Sequence, residues 1–318
     1  MGAARNRPPA ILLMGPTAAG KTRLALHLAR HFPLDIISVD SAMIYRGMDI
    51  GTAKPGAATL ARAPHRLIDI RDPSASYSAA EFRSDALVEM SRISRSGRIP
   101  LLVGGTMLYF RALTGGLAVL PPASLLLRKR LEKRAAQAGW PELHRQLAEL
   151  DPVAAARIHP HDAQRIQRAL EVIEICRRKL SDLQREHQQA EEEQFGYRIH
   201  RIVVCPGSRQ VLHQRIQQRF AGMLEQGFMA EMERLFRCPD LRPDLPSMRC
   251  VGYRQGWRYL AGEVDQAEMT CQAVAATRQL AKRQLTWLRQ ESAALWYDLD
   301  GPAAMSSVIE GLGGFLEI

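Results

Sequence analysis

The sequence predicts an α/β fold: a doubly wound parallel sheet into which an all-helical domain is inserted. Three observations carry this prediction. Short apolar runs of strand length alternate with helical patterns over the first 120 residues or so. From about residue 125 to 194 the pattern is helical, without a strand candidate. An apolar strand then resumes at residues 201–205, so the helical stretch interrupts the α/β pattern instead of ending it.

The first strand leads into the most informative motif of the chain. Residues 10–14 are apolar, Gly15–Thr22 read G-x-x-x-x-G-K-T, and a helical pattern follows over residues 23–29. This order of strand, glycine turn and helix is typical of a phosphate-binding loop, so the predicted sheet is P-loop NTPase-like. The glycines let backbone N–H groups approach anionic oxygens, and the helix adds its positive end. Lys21 would supply a charge for the phosphates, and Thr22 a hydroxyl ligand for Mg²⁺.

Further strands are predicted at residues 34–39, 64–70 and 99–103. Asp40 follows the strand at 34–39, and ligands of open parallel sheets gather at the carboxyl ends of strands. We therefore expect Asp40 to face the phosphate loop; a helix cap or turn is the alternative role. A capping box, Ser78 to Glu81, opens a helix that Gly97 stops, and a second glycine turn, Gly104–Thr106, precedes another helix. The predicted domains are residues 1–120 and 198–318 for the α/β core, and 121–197 for the insertion.

Basic residues concentrate on two predicted helical regions. In the insertion, which should contain helices at 125–138, 141–149, 152–157 and 163–178, Gln164, Arg165 and Arg168 share one helical face. Near the C-terminus, a helix over 265–290 carries Arg278, Lys282 and Arg289 along one side. The aromatic residues Trp257, Tyr259 and Trp287 lie near these charges. Arginine interleaved with aromatic rings suits unstacked bases. The alternative is a solvated basic face with core aromatics; the acidic run at 191–193 is interpreted as a solvated linker.

Composition sets the remaining limits. The chain has 318 residues and a net charge of +10, which suits an anionic macromolecule but also occurs in proteins that are simply soluble. No apolar run approaches the ~20 residues of a membrane span, and the first nine residues are too short and polar for a secretion signal. We therefore expect a cytoplasmic protein without membrane association. The five cysteines include no C-x-x-C pair, which predicts buried, reduced thiols and no zinc site.

The motifs leave two kinds of chemistry open. A phosphate loop most often serves phosphoryl transfer, but no apolar strand ends in a Walker-B aspartate separate from Asp40, and no compact arginine-rich lid of the small-kinase kind is visible. Asp40 would alternatively act on a nucleophile that attacks the group attached to a pyrophosphate, with the loop holding the leaving group. That reaction is group transfer.

Five segments carry a resemblance to one family. They are GPTAAGKT at residues 15–22, SVDSAMIYRGMDIGTAKP at 38–55, LLVGGT at 101–106, RCVGYR at 249–254 and TRQLAKRQ at 277–284. In these segments the chain resembles the bacterial tRNA dimethylallyltransferases, also called isopentenyl-tRNA transferases. The resemblance runs from about residue 10 to residue 297, and the second segment is long and peculiar to the family.

The resemblance implies transfer of a dimethylallyl group from dimethylallyl pyrophosphate to N6 of the adenosine 3′ of the anticodon, with Mg²⁺. The catalytic residues would be Thr17, Lys21, Asp40 and Arg219, and Thr22 would help to hold the metal. The pyrophosphate would be held by Gly15, Pro16, Thr17, Ala18, Ala19, Gly20, Lys21 and Thr22. Contacts with the tRNA anticodon stem-loop would come from Asp40, Ser41, Ala42, Met43, Thr106, Arg128, Gln164, Arg165, Ile166, Gln167, Arg168, Arg249, Cys250, Val251, Gly252, Tyr253, Arg254, Lys282, Arg283, Gln284, Leu285, Thr286, Trp287, Leu288 and Arg289. We expect a monomer.

Small departures from the family pattern and two alternatives remain. Ala19 stands where many members have serine, and Met43 and His161 replace an expected leucine and asparagine, which affects the fit of the tRNA more than the reaction. The first alternative is a small-molecule kinase, or an adenylate isopentenyltransferase acting on a free nucleotide. The second is an RNA-binding module with a degenerate phosphate loop.

Overall fold

The computed structural model describes residues 7–115, 120–191 and 195–317, and these form two compact units. One unit comprises the described residues up to Phe110 together with those from Gly196 onward, and the other is Arg111–Phe195. The domain boundaries expected from the sequence stand at 120/121 and 197/198. Residues 192 and 193 of the predicted acidic linker, and residues 1–6 at the polar start of the chain, lie outside the described residues.

The first unit is built on a parallel sheet. Its strands within the described residues are β1 Pro9–Met14, β2 Leu34–Val39, β3 His65–Arg66, β4 Ile99–Gly104, β5 Arg198–Val204 and β6 Leu295–Tyr297. Their order is β3-β2-β4-β1-β5-β6, and every pair is parallel. The predicted parallel α/β sheet is thereby confirmed. Because β1, β2 and β4 are neighbours, the segments that follow them meet at one edge of the sheet.

Helices connect and cover the strands. In chain order they are α1 Lys21–His31, α2 Ala57–Arg62, α3 Ala79–Arg95, α4 Met107–Thr114, α5 Leu125–Ala138, α6 Trp140–Leu150, α7 Pro152–Ala155, α8 Ala163–Cys176, α9 Leu180–Glu191, α10 Arg209–Glu225, α11 Phe228–Phe236, α12 Tyr253–Leu260, α13 Gln266–Leu288 and α14 Ala304–Leu316. The predicted capping box is present at the start of α3, where Ser78 and Glu81 exchange hydrogen bonds with each other's backbone. The helices α2, α11, α12 and α14 and the strand β6 were not predicted.

The two larger apolar clusters among the described residues of the first unit lie one against the sheet and one among the later helices. In the first, Ile11 and Leu13 of β1 pack with Leu24 of α1 and Val308 of α14. The other gathers Met48 with side chains of α10, α11 and α12, including the fully buried Phe228 and Tyr253. This second cluster supports the segments that line the site described below.

The predicted strand over residues 64–70 is largely wrong, because only His65–Arg66 pairs with β2. Leu67 and Asp69 adopt left-handed conformations, with φ of 61° and 56°, which take the chain out of the extended path. Asp69 instead forms an ion pair with Lys54 across 2.6 Å. The local pattern was that of a strand, but the tertiary contact required a turn.

The described residues of the second unit form helices and loops and no strand, as predicted. Helices α5 to α9 surround a core of their own, in which Leu131, Leu147, Ile166 and Val172 are fully buried. Asp151 caps α7 through the backbone N–H of Ala154. The helical insertion therefore has the apolar interior that an independent packing unit needs.

The expectation of buried cysteines is wrong. The five thiols are free, but four are only partly buried and Cys271 is exposed on α13. Thiols pack as small apolar groups and do not need full burial to remain reduced. A separate observation concerns membranes: among the described residues, no helix is both long enough and apolar enough to span a bilayer.

Candidate active site

The phosphate loop joins β1 to α1. Gly20 precedes the helix with φ of 92°, and Ala18 also has a left-handed conformation, with φ of 63°. Gly15 is required for another reason: a Cβ there would lie 2.3 Å from the carbonyl oxygen of Val204 on β5. The first turn of α1 carries no acidic residue. The loop therefore presents the positive end of a helix, with no carboxylate in the first helical turn.

Lys21 lies at the first position of α1 and turns back over the loop. Its Nζ donates to the carbonyl oxygens of Gly15 at 2.9 Å and Pro16 at 2.8 Å. Burial of the ammonium group, together with the nearby positive charge of Arg219, lowers the pKa of Lys21 to about 8, although Asp40 acts in the opposite direction. A diphosphate would stabilise this charged amine.

Asp40 follows β2 and is held by its own turn. Its Oδ1 accepts the backbone N–H groups of Ala42 at 2.8 Å and Met43 at 3.3 Å. Oδ2 makes no hydrogen bond to any described residue, so one carboxylate oxygen is available to a ligand. Thr106, which follows β4, fixes the same turn because its Oγ1 accepts from the N–H of Ser41 at 3.0 Å. Asp40 is thus oriented by neighbouring strand ends.

Arg219 brings a second cation from α10. Its guanidinium donates to the carbonyl oxygen of Thr52 at 3.2 Å. Burial lowers the pKa of Arg219, and the negative charge of Asp40 opposes that shift. Lys21 and Arg219 together outnumber the single carboxylate of Asp40, so the pocket favours an anion.

Glu231 of α11 organises the segment that positions Arg219. It is buried, with 4% of its surface exposed, and it accepts the backbone N–H groups of Asp49, Ile50 and Gly51 at 2.9, 2.8 and 3.1 Å. The hydroxyl of Tyr253 donates to the same carboxylate at 2.6 Å. Backbone donors can satisfy a buried carboxylate in place of a cation. Sequence reasoning missed Glu231 because nothing local distinguishes it from other helical glutamates.

Lys21, Asp40, Thr106 and Arg219 line one cavity of about 1060 Å³ in the first unit. Its polar wall includes Thr17–Thr22, Asp40 and Arg219, and its apolar wall includes Phe220, Met223 and Phe228. The apolar residues were not predicted either, since they belong to helices whose relation to the loop appears only in three dimensions. A cavity with a cationic end and an apolar wall can hold a ligand that is part diphosphate and part hydrocarbon.

About half of the predicted RNA-contacting residues also line this cavity. They are Asp40, Ser41, Ala42, Met43, Thr106, Arg249, Cys250, Val251, Gly252, Tyr253, Arg283, Gln284 and Trp287. Arg254, Lys282, Leu285, Thr286 and Arg289 belong to the same unit but do not line it. Burial raises the pKa of Cys250 to about 12, with Asp40 adding to the shift, so this thiol stays protonated.

Three of the predicted RNA-contacting residues are fully buried: Tyr253, Ile166 and Leu288. Their contacts with RNA stay predictions. Tyr253 and Leu288 belong to the interior of the first unit, and Ile166 to the core of the second. Their helical spacing next to basic residues gave no indication of which face would be covered. The aromatic residues Trp257 and Tyr259 are partly buried and pack against the apolar cluster under the site.

In the second unit, two predicted RNA-contacting arginines share a buried carboxylate. Glu171 is fully buried and accepts from Arg168 at 2.6 Å and from Arg128 at 3.1 Å. Burial alone would raise the pKa of Glu171, but the hydrogen bonds from Arg128 and Arg168 outweigh it and lower the pKa. Gln164 and Arg165 are exposed, and Gln167 donates to the carbonyl oxygen of Arg128 at 3.2 Å.

A parallel α/β sheet with a phosphate loop, and a cationic and apolar pocket at its edge, defines a P-loop enzyme acting on a phosphorylated substrate. Comparison with known families identifies which kind of P-loop enzyme this is. Residues 43–291 match the family model described as IPP transferase, which is more than half of the chain. The chain therefore belongs to the IPP transferase family, whose members transfer prenyl groups.

Solved structures agree with this assignment. A tRNA isopentenylpyrophosphate transferase from Bacillus halodurans is 35% identical, with a TM-score of 0.72 and coverage of 98% of this chain and 97% of that one. The corresponding enzyme from Staphylococcus epidermidis is 32% identical, with a TM-score of 0.69 and coverage of 98% and 99%. A eukaryotic dimethylallyltransferase acting on tRNA shares the fold at 22% identity, with a TM-score of 0.79 and coverage of 98% and 80%.

Proposed function

We propose that this enzyme transfers the dimethylallyl group of dimethylallyl pyrophosphate to N6 of the adenosine 3′ of the anticodon in tRNA, releasing pyrophosphate. The observation that carries the proposal is the composition of the cavity: Lys21 and Arg219 stand with Asp40 in one pocket that also has an apolar wall. The cations suit a diphosphate, and the apolar wall suits a prenyl chain. The relatives named above act on tRNA according to their names.

The reaction is a displacement at carbon. The bond between C1 of the dimethylallyl group and the pyrophosphate oxygen breaks, and a bond from C1 to N6 of adenine forms. Negative charge grows on the leaving pyrophosphate, where Lys21, Arg219 and the loop N–H groups stabilise it. Positive charge develops on N6, whose proton passes to Asp40. An adenine amino group is a weak nucleophile, so a positioned proton acceptor supports the reaction.

Magnesium fits this pocket on the chemistry of the donors. Thr22 lines the cavity and offers a hydroxyl, while the described residues include no cluster of three or more His, Cys, Asp or Glu side chains that would bind a metal. The ion would be held by Thr22 together with oxygens of the diphosphate, as hard cations prefer. When bound, it supplies charge neutralisation of the leaving group.

The RNA would enter as a single-stranded loop. A target base has to leave its stack to reach an enclosed pocket, and this is least costly in an anticodon loop. Exposed cations near the cavity, among them Arg249 and Arg283, are suited to the backbone phosphates. A cytoplasmic monomer acting on the anticodon stem-loop is the arrangement we propose.

The test is incubation with labelled dimethylallyl pyrophosphate, Mg²⁺ and an unmodified anticodon stem-loop. We expect labelled N6-dimethylallyl adenosine and one pyrophosphate per transfer. Transfer to AMP instead of RNA would indicate the adenylate enzyme, and conversion of ATP to ADP with phosphorylation of a small acceptor would indicate a kinase. Either result would overturn the proposal.

Asp40→Asn separates catalysis from binding. Asparagine keeps an oxygen for the N–H groups of Ala42 and Met43 but cannot take up the proton, so turnover should fall by about 10²–10⁴-fold. RNA affinity, measured by filter binding, should change little. Asp35→Asn, at the other end of β2, is the matched control and should keep full turnover. An active Asp40→Asn enzyme would remove Asp40 from the catalytic residues.

A further inference from the structure

Gln284 links the two glycine turns of the site. It lies on α13 and is 9% exposed. Its Oε1 accepts the backbone N–H of Thr17 at 2.9 Å, and its Nε2 donates to the carbonyl oxygen of Gly105 at 2.9 Å. Thr17 belongs to the phosphate loop after β1, and Gly105 to the turn after β4. One side chain therefore joins the ends of two neighbouring strands.

The turn at Gly105 is shaped to receive this side chain. A Cβ at position 105 would lie 2.4 Å from Nε2 of Gln284 and 3.2 Å from the carbonyl oxygen of Gly15. The first distance is shorter than any ordinary contact, so alanine at this position would displace the amide of Gln284. The amide of Gln284 fits only because residue 105 is a glycine.

The bonding pattern also restricts the residue type at 284. The two contacts need an acceptor for Thr17 and a donor for Gly105 on one side chain of this length. Glutamine provides both, while an ionised glutamate only accepts, and methionine cannot donate and accepts only weakly through its sulfur. A buried N–H or C=O that loses its partner is costly, so both turns should shift when the amide is removed.

We propose that Gln284 is a positioning residue for the phosphate loop, which it fixes through Thr17, and is not the RNA contact that the resemblance implied. Its neighbours Lys282 and Arg283 are exposed on the same helix, whereas Gln284 points inward. The inference rests on the proposed function, since its kinetic consequence is slower transfer from the prenyl donor. Its binding consequence, weaker affinity for inorganic pyrophosphate, does not depend on tRNA being the acceptor.

The experiment compares Gln284→Met, which keeps the length of the side chain without its hydrogen bonds, with Gln279→Ala, an exposed glutamine on the same helix. We expect Gln284→Met to weaken pyrophosphate binding, measured calorimetrically, and to lower kcat/KM for dimethylallyl pyrophosphate, each by about tenfold. The affinity for the anticodon stem-loop should stay within about twofold, and Gln279→Ala should match the parent enzyme in all three.

A double-mutant cycle with Gly105→Ala distinguishes positioning from a general loss of stability. Gly105→Ala should weaken pyrophosphate binding as Gln284→Met does, and the double variant should be little worse than either single one, because both changes break the same link. Losses that multiply would overturn the proposal. Unchanged pyrophosphate binding in Gln284→Met, or a loss confined to RNA affinity, would overturn it too. If wild-type protein binds pyrophosphate as described but modifies no tRNA, the proposed function fails and the positioning role stands.

Discussion

Replacing Glu231 by alanine should both destabilise the first unit and impair the site. The carboxylate accepts four hydrogen bonds, from the N–H groups of Asp49, Ile50 and Gly51 and from the hydroxyl of Tyr253. Alanine leaves these donors without a partner. Since the loop continues to Thr52, whose carbonyl oxygen accepts from Arg219, the displacement should reach the pyrophosphate end of the cavity.

The size of the effect follows from the hydrogen bonds. A buried donor that loses its acceptor costs about 1–3 kcal/mol, and relaxation of the loop will let water reach some of the four. We expect a total loss of about 3–5 kcal/mol, comparable to removing one partner of a buried ionic group. For a unit of this size, the melting temperature should fall by roughly 10 °C.

The assay is thermal unfolding followed by steady-state kinetics well below the melting temperature. In the folded Glu231→Ala protein, kcat/KM for the prenyl donor should be lower by about tenfold or more, because Arg219 is misplaced. Tyr253→Phe removes a single donor and should cost about 1 kcal/mol. Glu233→Ala, an exposed glutamate of the same helix paired with Arg237, should cost less than about 0.5 kcal/mol.

The reasoning is refuted if Glu231→Ala melts with the parent protein, since the four donors would then have found other partners. It is refuted in part if stability falls but the kinetics of the folded variant are unchanged. In that case the loop would not determine where Arg219 lies.

Two further predictions concern ionisable groups. Because the pKa of Lys21 is lowered to about 8, the folded protein binds fewer protons at this group than the unfolded chain between about pH 8 and 10.5, so its contribution to stability rises with pH across that window. Over the same range kcat/KM for dimethylallyl pyrophosphate should fall by up to about tenfold per pH unit, and Lys21→Arg should remove the fall. In the second unit, Glu171→Ala should increase the hydrogen exchange of α5 and α8 and weaken RNA binding, because Arg128 and Arg168 lose their shared partner. The exposed Glu149→Ala is the control. Unchanged hydrogen exchange in Glu171→Ala would contradict the prediction. Since the pKa of Glu171 is lowered, the stability it contributes should be present above about pH 4.5 and lost as pH falls through the lowered value.

Local patterns determined a large part of this protein. The phosphate loop could be predicted because its strand, glycines, lysine and helix are contiguous in the sequence. Each is favoured by short-range sterics or hydrogen bonding. The alternation of strands and helices gave the parallel sheet, and the position of Asp40 after β2 placed it at the edge where ligands bind. The helical insertion could be predicted from its apolar periodicity, which is also a local pattern. The strand predicted at 64–70 was too long. It ends early where Asp69 pairs with Lys54, a residue outside the stretch of sequence on which the prediction rested.

The tertiary structure alone decided how the site is held. Gln284 meets Thr17 across 267 positions of the chain, and Glu231 meets Gly51 across 180. Neither side chain differs locally from an ordinary polar residue on a helix, and their burial follows from packing that no short window records. The sequence by itself therefore indicated Lys21 and Asp40 as candidate reacting groups, because each lies in or beside a contiguous motif. Their orientation was decided by buried polar contacts between distant segments, which form only when the chain has folded.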